Sequence, residues 1–242
     1  MALGYRFVAH KTRATFAGTG TTLALSGISP GSILLCGLSW FDANGDDISD
    51  VSDDVNGSWP STTIHQLQSD QAGIQMWYFE NSGDDPTLLT VTFPNTGGSN
   101  NMGLEFDVVE ILGGMTANAL DKNITNSGNG QNASIAWGTL AQQDEILFQL
   151  MHHDGNTRTL DEDAADGYTL IGENHSDSGG NPYLFQYKIV STTTPPDANV
   201  TIGTGAVNWG TRGLSFKAAA AGATPLPSAD VLATHSRRRY GF

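Results

Sequence analysis

Short runs of apolar or alternating residues, each closed by Gly, Asn, Asp or Pro, recur along the chain. A period of two buries one face of a strand, and an unbroken apolar run buries both. The clearest runs are Thr22–Leu25, Ile33–Trp40, Ile74–Glu80, Leu88–Phe93, Leu104–Leu112, Ala133–Trp137, Ile146–His152, Tyr183–Val190, Asn199–Ile202 and Gly213–Lys217. No stretch before residue 218 keeps a helical period for three turns, so the chain is predicted to be all-β.

The runs fall into two sets with the same order: long strand, acidic loop, aromatic strand, Pro-bearing turn, closing strand. Corresponding pieces lie roughly 110 residues apart, which suggests pseudo-repeated halves at about 14–115 and 130–217, joined through Asn126-Ser127-Gly128-Asn129-Gly130. The expected architecture is a double-sheet antiparallel β-sandwich over 14–217, a jelly roll by preference, with two separate small sandwiches as the alternative. Extended terminal arms complete it: a basic arm over 1–13, and an Ala/Pro linker leading to a second basic arm over 218–242.

Charge sharpens this division. The 242 residues carry a net charge of −14. Residues 1–13 hold Arg6, Lys11 and Arg13 with no acid, and 218–242 hold Arg237, Arg238 and Arg239 against Asp230. The body between them has 5 basic and 24 acidic side chains. Such a body repels nucleic acid and anionic membranes, while cationic ends suit an acidic protein surface. The N-terminus lacks the apolar stretch of a signal peptide and no run is long enough to cross a bilayer, so synthesis in a host cytoplasm without export is expected. Cys36, the single cysteine, sits in an apolar run and reads as a buried small hydrophobe.

Catalytic and cofactor motifs are sparse, and no cofactor is implied. Gly27-Ile28-Ser29-Pro30-Gly31 has the letters of a nucleophile elbow, but a strand follows it where that motif needs a helix. Asp42, Asn44 and Asp46 alternate as calcium ligands do, yet Gly45 and Asp53 stand where an EF-hand loop requires other spacing; a weak calcium site or a plain acidic turn are the two readings. His152 and His153 point to opposite faces of one strand, which argues against a zinc pair. Glu80, Glu105, Asp107 and Glu110 lie on or beside strands, with Glu105 and Asp107 sharing a face, as paired carboxylates for glycoside hydrolysis would or as a polar stripe would. Of the five tryptophans, Trp40, Trp77, Trp137 and Trp209 are expected in the core; Trp59 reads as a loop residue able to stack on a sugar.

The run Ile33–Asp42, then Asp50 to Trp59, then Ile74–Asn81 and Thr90–Phe93 resembles a β-sandwich module of bacterial exoproteins and tailed-phage virion proteins, in which a long core strand leads to an Asp-x-x-Gly-Asn/Ser-x-Trp turn and an aromatic strand. The likeness extends through Asp166–Leu170 and Gly213–Lys217, about 200 residues in all. Standing alone, such a sandwich is similar to capsid cement (decoration) proteins of tailed bacteriophages. That resemblance implies a non-enzymatic homo-oligomer, often a trimer, on the outer head surface of the virion, bound to the major capsid protein. Arg6, Lys11, Arg13, Arg237, Arg238, Arg239, Tyr240 and Phe242 are then the candidate docking residues, chosen by charge and composition alone. The alternative is a carbohydrate-binding module or phage adhesin that recognises glycans through Trp59.

Overall fold

The fold is given by a computed structural model, which describes residues 3–16, 19–41, 47–62, 65–67, 72–93, 102–154, 158–174, 182–203 and 205–220. The first half contains β1 (Gly4–Phe16), β2 (Gly20–Ala24), β3 (Ile33–Phe41), β4 (Asp50–Asp53), β5 (Gly57–Ser58), β6 (His65–Leu67), β7 (Ala72–Phe79), β8 (Leu88–Thr92) and β9 (Met102–Leu112). The second contains β10 (Leu120–Gly130), β11 (Asn132–Ile135), β12 (Asp144–His153), β13 (Leu160–Asp161), β14 (Thr169–Asn174), β15 (Tyr183–Ser191), β16 (Ala198–Ile202) and β17 (Val207–Lys217), with one short 3-10 turn at Ala164–Asp166.

These strands form four sheets. In the first half a large sheet runs β1-β9-β3-β7-β6 and a smaller one β2-β8-β4-β5; in the second the large sheet runs β10-β17-β12-β15-β14 and the small one β11-β16-β13. The strand order of the two large sheets is therefore the same when β1, β9, β3, β7 and β6 are matched to β10, β17, β12, β15 and β14. All pairings among the named strands are antiparallel.

The four sheets stack as four layers, small-large-large-small, with apolar residues at each junction. Leu34, Cys36, Leu38 and Trp40 of β3 face the small sheet of their own half, where they meet Val51, Leu89 and Val91. Ile33 and Leu35, on the other face of the same strand, meet Phe148, Phe185, Leu214 and Phe216 of the second half across a central seam. This explains why β3 reads as an unbroken apolar run: both faces are covered. Behind the second large sheet, Met151, Leu184 and Trp209 pack on Leu160, Val200 and Ile202, and Leu147, Trp137 and Tyr168 on Ile135 and Ala198.

The antiparallel all-β sandwich expected from the sequence is the fold that forms, although among the described residues its sheets number four instead of two. The terminal arms need correction. Residues 4–13 are not an arm, because β1 pairs with β9 along almost its whole length, from Gly4 opposite Leu112 to Phe16 opposite Met102. The sandwich also extends past Lys217: Ala218 bridges Gly114, and the Ala219 N–H donates to the Gly113 carbonyl at 2.8 Å. Residues 221–242 lie outside the described residues.

Candidate functional site

The Asp-x-x-Gly-Asn/Ser-x-Trp turn, quoted above for the resemblance, is a folding element. Asp53 ends β4, and its Oδ1 accepts from the backbone N–H groups of Val55 (2.8 Å) and Asn56 (2.6 Å), while Oδ2 accepts from Asn56 Nδ2 (2.8 Å) and from Trp59 Nε1 (2.7 Å). This is the local bonding by which Asp closes a turn. Gly57 has φ +76°, a conformation that favours glycine. The loop position expected for Trp59 therefore does not give an open stacking surface: the residue is 3% exposed, and the indole is anchored in the first half's core. The other four tryptophans are buried as expected, and so is Cys36.

A similar turn recurs in the second half. Asp163 Oδ1 accepts from the Asp166 N–H (3.4 Å), its Oδ2 accepts from the Asn199 N–H (3.0 Å), and Gly167 follows four residues on with φ +78°. Here the buried indole takes another partner: Trp137 Nε1 donates to Tyr168 Oη at 2.7 Å. Burial and the neighbouring acids hold the Tyr168 phenol well above its ordinary titration range.

The densest group of ionisable side chains lies at the seam. Glu105 and Asp107 share a face of β9, as alternation predicts, and that face looks toward the second half. Asp107, 1% exposed, is within 2.8 Å of His10 Nδ1 at Oδ1 and accepts from Tyr183 Oη at 2.8 Å through Oδ2. An ionised carboxylate only accepts, so His10 carries its Nδ1 proton here. His10 Nε2 lies 3.5 Å from Glu105 Oε1. The hydrogen bond to Asp107 raises the His10 pKa against the opposing effect of burial, helped by the charges of Asp107 and Glu105. Burial, then the Asp107 charge, pushes the Tyr183 phenol far upward. Gly172 of β14 abuts Asp107 so closely that any side chain there would overlap the carboxylate.

The remaining candidate carboxylates are also held internally. Glu110, fully buried, accepts from the Ser29 N–H at 2.6 Å and from Arg6 Nε at 2.7 Å. Glu80 Oε1 accepts from the Leu120 N–H at 3.1 Å. Paired carboxylates for glycoside hydrolysis need open space for substrate and water, and Asp107 and Glu110 have their oxygens turned into the protein. His152 and His153, both fully buried, project from opposite faces of β12. Among the described residues no group of His, Cys, Asp and Glu is arranged to hold a metal ion. An open depression is lined by Pro60, Tyr78, Phe79, Glu80, Asn118 and Leu120.

The candidate docking residues divide. Arg6 is bound to Glu110 and to the Gly27 carbonyl, with 40% of its side chain still exposed. Lys11 Nζ donates to the Thr22 carbonyl at 3.2 Å. Arg13 lies on β1, but its side chain falls outside the described residues, as do Arg237, Arg238, Arg239, Tyr240 and Phe242 and the calcium candidates Asp42, Asn44 and Asp46. No local pattern points to the partnership of His10, Asp107 and Tyr183. They are separated by 97 and 76 residues, and only register and sheet stacking bring them together.

No protein-family model matches the chain. No curated protein matches it either. A solved structure described as the crystal structure of the STIV MCP aligns over 90% of this chain and 97% of its own, at 10% sequence identity and a TM-score of 0.29, below the level at which two structures share a fold.

Proposed function

We propose that the chain is a non-enzymatic structural protein of a virion, a capsid cement or decoration protein that binds the outer surface of the head and stabilises it. The observation that carries this reading is strand order. The arrangement β1-β9-β3-β7 over β2-β8-β4-β5 supports a jelly-roll reading, and β10-β17-β12-β15 over β11-β16-β13 follows the same order with, among the described residues, one strand fewer in the small sheet. Jelly rolls recur in viral capsid and lectin domains. Between those two, burial of Trp59 removes the aromatic platform on which the glycan-binding reading was built. Fusion of the halves through a continuous apolar seam suits a rigid surface block.

Docking falls to Arg237, Arg238 and Arg239 with Tyr240 and Phe242, since Arg6 and Lys11 already have partners within the body. Three guanidiniums pair with carboxylates in forked geometry, and the two aromatics add apolar contact that salt does not screen. The partner is the major capsid protein, and a homotrimer is the expected assembly. Co-sedimentation with undecorated heads tests this. Replacing the three arginines by alanine should weaken attachment severely and by lysine less, because lysine keeps the charge and loses the fork. Equal attachment by wild type and the triple-alanine variant removes the tail from the mechanism. Absence of binding by either, together with binding to immobilised glycans, favours the lectin reading.

A further inference from the structure

Asp107 joins the two halves. It belongs to β9 in the first half, yet one of its oxygens is held by Tyr183 from β15 in the second, and the other by His10 from β1, each at 2.8 Å. Asp107 and Tyr183 are cut off from solvent, whereas 30% of the His10 side chain is exposed. Protons from solvent therefore reach this hydrogen-bonded chain through His10.

We propose that His10 is a proton-controlled clasp on the seam: protonated, it neutralises the carboxylates of β9 and keeps Asp107 aimed at Tyr183; deprotonated, it leaves that acidic face against the second half and loosens the junction. The groups around Asp107 support this polarity. From β9 come Asp107 itself and Glu105, from β3 the Cys36 thiol, from β1 Tyr5, whose ring packs on Tyr187, from β15 Tyr183, and from β14 Gly172, with Glu173 beside it and exposed. Each is acidic or neutral, so protonation of His10 supplies positive charge to the cluster. The tight fit of Gly172 leaves Asp107 no room to turn toward water without moving β14.

The sign follows from linkage. A histidine whose pKa is raised in the folded state contributes stability that is full below its unfolded value of about 6.5 and is lost as pH rises through the folded value. The clasp is closed in mildly acidic solution and opens on the alkaline side. Each unit by which His10 titrates above about 6.5 corresponds to a tenfold change in the equilibrium for unfolding the chain; opening the seam alone draws on the part of that shift which the second half maintains, because Glu105 and Asp107 stay beside His10 in the first half.

The test uses the full chain. NMR titration of the His10 ring should give a pKa above 6.5, and Asp107→Asn should lower it. Between pH 6 and 9, protection of the Phe185 and Leu150 amides, which line the seam, should fall several-fold in wild type once the base-catalysed intrinsic rate of exchange is divided out. Protection should be low at both ends of that range in His10→Gln and high at both ends in His10→Lys, which keeps a positive charge. A ring that titrates at or below 6.5 in wild type overturns the clasp, and that measurement needs no variant to fold. So does the same pH dependence of protection in wild type and His10→Gln.

Discussion

Gly37→Val tests whether the two large sheets lie face to face. Gly37 sits in β3 between Asp107 and Met76, and a Cβ built on it would stand 3.1 Å from Phe185 Cε1 and 3.3 Å from Cδ1 and Cζ. Phe185 belongs to the other half, and its ring is backed by Phe148 at a centroid separation of 5.8 Å. Valine therefore drives its methyls into a ring with little room to retreat. Overpacking of this kind costs typically 1–3 kcal/mol, offset in part by the better strand preference of valine, for a net loss of about 2 kcal/mol. In a chain of this length that lowers Tm by about 4–8 °C. Phe185→Leu alone leaves a modest cavity and costs about 1–2 kcal/mol. Together the two substitutions relieve one another, and the double variant should be more stable than the sum of the singles predicts by at least about 1 kcal/mol. Thermal and urea unfolding of the four proteins give the cycle. Additivity within about 0.5 kcal/mol would mean that the Phe185 ring does not lie over Gly37, and the seam as described would be wrong.

The paired turns and the chain ends provide further checks. Asp53→Ala strands the buried Trp59 indole N–H and removes three turn bonds, for a loss of about 3 kcal/mol; Asp163→Ala, whose bonds go to groups that water can reach, should cost about 1 kcal/mol, both read from denaturant unfolding. Deleting residues 1–13 removes most of β1 and bares the β9 edge, so Tm should fall by roughly 10 °C or more, whereas deleting 221–242 should leave it within a few degrees by calorimetry. A cooperative, unshifted melt after the N-terminal deletion would restore that segment as an arm.

The strands that carry two covered faces were legible in the sequence because burial writes itself as apolar runs: β3, β7, β9, β12 and β15 all lie within a residue or two of the runs that announced them. The edge strands were not. β1 has three cations and bulges after Phe7 and Lys11, and β10 reads Leu-Asp-Lys-Asn-Ile-Thr-Asn-Ser-Gly-Asn-Gly; among the described residues each has a ladder partner on one side only, so neither needs a clean hydrophobic period. The Asp53 turn was visible as a spacing, but the direction of Trp59 depended on the indole finding Asp53 as its acceptor. Alternation placed Glu105 and Asp107 on one face of β9. That this face meets Tyr183 follows only from stacking one half on the other, which no local pattern encodes.

The claim that this chain is a structural protein of a virion surface is tested most directly on intact particles. Particles from the source, purified through two density gradients and probed with antibody against the folded body, should be labelled on their outer surface, with the chain present by mass spectrometry in fixed ratio to the major capsid protein. Its absence from purified particles, or its loss in step with soluble contaminants through the second gradient, would contradict the account.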